Sequence, residues 1–147
     1  MRYTNNEFAH MNIKGGTCNA AMDETENGTL PIKDFLLALP DEDRAAILEE
    51  MEHIRKHGKL VARHLHKDIY EVHAIYNTKA YRILFACEGH FNHILLSLEG
   101  FQKKTQHAPR DHIKLAEQRL ADWRRRGETK RASQENERRT CIETGFS

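Results

Sequence analysis

Five residues in the second half of the chain have the types that phosphodiester chemistry needs. Glu71, His73, Arg82, Lys103 and Lys104 supply a carboxylate, an imidazole and three cations. Cleavage of RNA by its own 2′-hydroxyl requires one group to take the hydroxyl proton and another to protonate the leaving 5′-oxygen. It also requires cations to stabilise the charge that grows on phosphorus. Arg82 suits this last role, because a guanidinium is always charged and meets two phosphate oxygens at once. Imidazole titrates near neutrality, so His73 can serve as acid or base. Glu71 can act as a base, or can orient His73 or a lysine. A lysine transfers protons only where neighbouring cations lower its pKa. A plainer reading of the same residues makes Glu71 and Arg82 a cross-strand salt bridge and the lysines a solvated turn.

These side chains meet only if the elements carrying them are neighbours. From Ile69 to Tyr76 the chain alternates, with Tyr70, Val72, Ala74 and Tyr76 on one face and Ile69, Glu71, His73 and Ile75 on the other. Beyond a turn at Asn77-Thr78, Tyr81, Ile83, Phe85 and Cys87 alternate with Arg82, Leu84 and Ala86. The stretch from His93 to Leu98 forms the next strand, Ile94, Leu96 and Leu98 opposing Leu95, Ser97 and Glu99. Gly100 then lets the backbone turn, and Lys103 and Lys104 emerge at the rim. Val61 to Leu65 is the lead-in to this antiparallel meander.

Helices are expected on either side. Thr29 can cap a short one with Pro31 in its first turn, and Pro40 ends it. Asp41, Glu42 and Asp43 load the positive end of a second, whose apolar side is Ile47, Met51 and Ile54 and whose stop is Gly58. A third begins near Pro109 and Asp111, buries Ile113, Ala116, Leu120 and Trp123, places Arg124, Arg125 and Arg126 at its negative end and stops at Gly127. The expected class is α+β: an N-terminal helical hairpin packed on a three- to five-stranded antiparallel sheet, plus a C-terminal helix. With the hairpin on one face, the other is left open and polar.

The run Gly100-Phe101-Gln102-Lys103-Lys104-Thr105-Gln106-His107-Ala108-Pro109, with Ala116 and Arg119 beyond, resembles the GF-x-KKTQ-x-x-P signature of RelE/ParE-type toxins. The branch it resembles is the HigB-like, phage-derived one of bacterial type II toxin–antitoxin systems. Ile69 to His73 looks like the family's (L/I)-(W/Y)-E-(L/V)-R, and Tyr81 to Phe85 like its YR-(V/I)-(L/V)-(Y/F). The resemblance covers roughly residues 31–126. It implies a RelE-like fold and a metal-independent, ribosome-dependent messenger-RNA endoribonuclease. Glu71, His73, Arg82, Lys103 and Lys104 are then the catalytic patch, the last three also binding RNA. No cofactor is implied; the partners are a small helix-turn-helix antitoxin, messenger RNA and the ribosome. The rival readings are a ParE-like, non-enzymatic topoisomerase poison and a degenerate toxin kept as a partner-binding module. Two positions depart from the family pattern. His73 stands where Arg is usual, and Glu99 stands where His or Asn commonly precedes Gly-Phe, a carboxylate expected to neutralise the nearby lysines.

Composition sets the outer bounds. At 147 residues the chain suits one domain, and at 31% charged against 39% hydrophobic its core is modest. A net charge of +1 excludes polyanion binding by bulk charge, so any nucleic-acid contact must come from local clustering. No apolar run approaches the roughly 18 residues of a membrane span, and a cytoplasmic protein is expected. Cys18, Cys87 and Cys141 are scattered and odd in number, which suits a reducing compartment. Cys87, His90 and His93 fit no established zinc spacing, so no metal is expected. Trp123 reads as core, and Tyr70 and Tyr76 as packing residues. Residues 1–28 read as a polar, weakly ordered segment with a weak strand at Phe8, Met11 and Ile13. Residues 29–127 read as the toxin domain and 128–147 as a charged, disordered tail.

Overall fold

The computed structural model describes residues 19–58, 61–89, 94–104 and 110–143, with side chains from Ala20 to Gly127. It is an α+β fold with the order β1 (Asn19–Met22), α1 (Pro31–Leu37), α2 (Asp41–His57), β2 (Arg63–His66), β3 (Ile69–Tyr76), β4 (Lys79–Glu88), β5 (Ile94–Lys103) and α3 (Arg110–Glu143). The five strands form one sheet in the order β1-β5-β4-β3-β2.

Strand parity decides what each face meets. On one side Val72, Ala74, Tyr81, Ile83, Phe85 and Leu95 pack under Ile32 and Leu36 of α1 and Ile47, Met51 and Ile54 of α2. On the other, Ile69, Leu84, Ala86, Leu96, Leu98 and Phe101 pack under Ala116 and Leu120 of α3, with Trp123 partly buried beside them. The faces read from alternation in β3 and β4 are those observed. Tyr70 packs against the hairpin-side core, its ring 5.8 Å from that of Phe85. The second face is not left open, however. Helix α3 covers its Leu84–Leu98 end, because the apolar stripe of α3 needs a partner as much as the sheet does.

Several expectations require correction. The sheet is mixed rather than antiparallel: β1 pairs parallel with β5, from Asn19↔Ile94 to Met22↔Ser97. This strand lies within the segment read as weakly ordered. It is four residues long with no β-branched residue, so it carries no local strand signal. The strand expected at Phe8, Met11 and Ile13 lies outside the described residues, as does Pro109. Thr29 does not cap α1: Leu30 precedes the helix, without a side-chain cap, and Pro31 occupies its first turn. Thr29 instead closes a turn with Thr25, its N–H donating to Thr25 Oγ1 at 3.2 Å.

Gly100 does not turn the chain. Strand β5 runs through it to Lys103, and Gly100 pairs with Ile83. The glycine is needed for closeness instead. A Cβ at this position would lie 2.5 Å from Phe35 Cδ1 and 2.9 Å from Ile83 Cδ1. Helix α3 does not stop at Gly127 but continues to Glu143. One helical glycine costs about 1 kcal/mol against alanine, and the Arg, Glu, Lys, Ala and Gln around it are strong helix formers. The arginines at 124–126 therefore sit within the helix, where they reach acids: Arg124 bonds Glu88 at 2.5 Å and Asp68 at 3.0 Å, and Arg126 reaches Asp23 at 3.4 Å.

One irregularity re-aims the end of β5. Leu84 pairs with Glu99 but Phe85 pairs with Ser97, so Leu98 is an extra residue opposite β4. Around such a bulge the alternation shifts by one. Leu98 and Glu99 consequently both meet α3, and Phe101 and Lys103 fall on the same face as Arg82.

Candidate active site

The end of the α3 face away from the Leu84–Leu98 cluster carries the residues singled out for chemistry. In register, His73 of β3 lies opposite Arg82 of β4, and Glu71 lies one pair further along, opposite Leu84. Arg82 Nη1 donates to Glu71 Oε2 at 2.5 Å across the diagonal, and the two are only 4% and 3% exposed. The salt bridge is thus real but buried, not solvated. Its Arg82 Nε, also closed to solvent, has no hydrogen-bond partner among the described residues. His73 is exposed beside it.

A cavity of about 300 Å³ opens here. It is lined by Glu50, His53 and Ile54 of α2, by Val61 and Arg63, and by Glu71, His73 and Arg82. It exists because β2 pairs with β3 only over Ile69–Glu71, through Arg63–His66, so Val72 onward has no strand outside it among the described residues. A smaller cavity of about 180 Å³, lined by residues including Lys67, Asp68, Glu117 and Arg124, contains none of the predicted site residues.

Lys103 lies on the Arg82 face of β5 and is partly buried, whereas Lys104 is exposed past the strand end. The pKa of Lys103 is lowered, first by burial and then by the Arg82 and Arg63 charges, with Glu71 opposing. Four of the five predicted residues thus come together, with Lys104 at the rim. Arg63, which pairs in register with Glu71, was missed; its only signal was membership of the lead-in strand.

Glu99 does not neutralise the lysines. It is held on α3, by Arg119 Nη1 at 3.4 Å and His112 Nδ1 at 3.3 Å, and it accepts the Gly100 N–H at 3.0 Å. The bulge accounts for this, since simple alternation would have sent Glu99 to the hairpin face. Arg119 also donates to the Leu98 carbonyl at 2.8 Å, tying α3 to the bulge.

Among the described residues no group of three or more His, Cys, Asp or Glu is placed to hold a metal; His90 and His93 lie outside them. No described helix is long and apolar enough to cross a membrane.

A family model described as "Phage derived protein Gp49-like (DUF891)" matches residues 34–121, more than half of the chain. The match runs from Asp34 in α1 through α2 and β2 to β5 and ends at Ala121 in α3. No curated protein matches the chain.

Proposed function

Because the chain belongs to the phage-derived Gp49-like family, part of the RelE/HigB-like toxin superfamily and associated with toxin–antitoxin toxins, we propose that it is a messenger-RNA endoribonuclease. It acts on the ribosome, in the cytoplasm, and is silenced by a small helix-turn-helix antitoxin. The observation that carries this reading is the buried Arg82, whose Nε has no partner among the described residues, in a cavity beside His73 and on one face with Lys103. Arg82 and Lys103 hold the scissile phosphate and the charge that develops on it. Glu71 fixes the guanidinium through its 2.5 Å bond, which makes it a positioning residue rather than a free base. His73 transfers a proton, and Lys104 meets the RNA backbone at the rim.

Induction in a bacterial host without the antitoxin tests this. Rapid loss of protein synthesis with cut messages is expected. A DNA-damage response with intact messages would replace the reading by topoisomerase poisoning.

One observation favours a second reading. Glu71 already compensates the Arg82 charge, as suits a partner-binding module without catalysis. Normal growth on induction of folded protein would establish that module.

A further inference from the structure

One row of residues is in register across the three central strands: His73 on β3, Arg82 on β4 and Phe101 on β5. The far end of this row carries a second imidazole. His112, in the first turn of α3, stacks on Phe101 with ring centroids 4.1 Å apart and planes 7° apart. Its Nδ1 lies 3.3 Å from Glu99 Oε2. Glu99 is in turn fixed by Arg119 and the Gly100 N–H. Neighbouring strands are about 4.8 Å apart, so His73 and the His112–Phe101 stack flank Arg82 from the two adjacent strands.

We propose that His112 is the general base of the site, with Glu99 orienting it; this rests on the ribonuclease reading above. A neutral imidazole whose Nδ1–H donates to a carboxylate keeps its lone pair on Nε2. Nε2 of His112 has no bond to another described residue, and the side chain is 35% exposed. The stack fixes the plane of the ring and Glu99 its rotation, the arrangement that holds a base ready beside its substrate.

The step balances. Nε2 of His112 takes the proton of the RNA 2′-hydroxyl as the 2′-oxygen bonds to phosphorus. The bond from phosphorus to the 5′-oxygen breaks, and protonated His73 gives its proton to that oxygen. The products are a 2′,3′-cyclic phosphate and a 5′-hydroxyl, and both rings return to their starting states by exchange with water. Among the described residues, Glu99 on β5 bonds His112, Arg119 on α3 bonds Glu99 from behind, and Arg82 on β4 lies in register beyond Phe101. A base must be neutral and an acid protonated, so His112 sets the limb of the pH–rate profile that rises with pH and His73 the limb that falls.

The experiment is single-turnover cleavage of a labelled message on programmed bacterial ribosomes, from pH 5 to 9, by the full chain. His112→Phe keeps a ring to stack on Phe101 but cannot take a proton, and His112→Gln removes the ring. Both are expected to fold, to bind the programmed ribosome like the wild type, to cleave about 10²-fold or more slowly at neutral pH, and to lose the rising limb. If the wild type cuts and both folded variants cut equally fast with the rising limb intact, the proposal is overturned and the ribonuclease reading stands. If the wild type cuts no message, the ribonuclease reading fails and takes this proposal with it.

Discussion

Arg82 and Glu71 are each nearly closed to solvent, so removing one leaves the other charged and buried. Breaking such a pair from one side typically costs about 3–5 kcal/mol. Arg82→Ala should therefore lower the melting temperature sharply, and its loss of toxicity alone would not identify a phosphate site. Glu71→Gln combined with Arg82→Gln removes both charges. This double variant should melt above either single variant yet leave messages uncut; toxicity in the folded double variant would remove Arg82 from the mechanism. At His73 the expected result is selective. His73→Gln should lose the falling limb of the pH profile, and full activity in His73→Arg would mean that the position supplies charge rather than a proton. A third prediction concerns Asp23, 1% exposed where β1 meets α3. Burial raises its pKa from 3.8 to about 6, against the pull of Arg126 and Arg119. Folding thus holds the Asp23 proton more tightly than the unfolded chain does. This contribution is fully present below about pH 4 and is lost as pH rises to about 6. The loss is on the order of 2–3 kcal/mol at 1.36 kcal/mol per unit. Urea unfolding across that window should show the decline in the wild type and a flatter profile in Asp23→Asn.

Two strand features fix how the elements meet. Gly100 is where α1 lies against β5, with Phe35 and Ile83 filling the space a methyl would take. Gly100→Ala should destabilise by about 1–3 kcal/mol through overpacking. Phe35→Leu, in the same chain, should recover part of that loss, because the obstructing ring is gone. Equilibrium denaturation of the single and double variants measures both effects, and equal stability of Gly100→Ala and wild type would show that the helix yields. The first turn of α2 is pinned differently. Buried Asp43 accepts a hydrogen bond from Tyr81, which lowers the pKa of Asp43; burial, together with that bond, pushes Tyr81 up to about 12. Lys79 adds its charge at 3.4 Å. This contact joins the helical hairpin to β4, the strand that carries Arg82.

At the scale of the whole molecule, α3 is the longest of the described elements. Its 34 residues extend about 50 Å, and Trp123 is the last apolar residue that it packs on the sheet among those whose side chains are described. From Glu128 to Glu143 the backbone is helical where the composition suggested a tail without structure. Deleting residues 128–147 should leave the melting temperature within a few degrees of wild type while removing a measurable part of the helical circular-dichroism signal. Loss of melting temperature comparable to a core substitution would mean that the segment is needed to hold α3 on the sheet.

Parity within β3 and β4 could be read from the chain alone, because side chains alternate every residue and each apolar set needs a partner. That was enough to place Glu71, His73 and Arg82 together, and apolar periodicity located α2 and the packed stretch of α3. The bulge at Leu98 could not be read, since an extra residue in one strand is defined only against its neighbour. It nevertheless decides that Glu99 faces Arg119 and His112, and that Phe101 and Lys103 share the Arg82 face. The parallel pairing of β1 and the burial of the Glu71–Arg82 pair were equally closed to sequence reasoning. Both depend on which segments, distant in the chain, cover a given surface: local spacing sets direction, but solvent exclusion is a property of the packed whole.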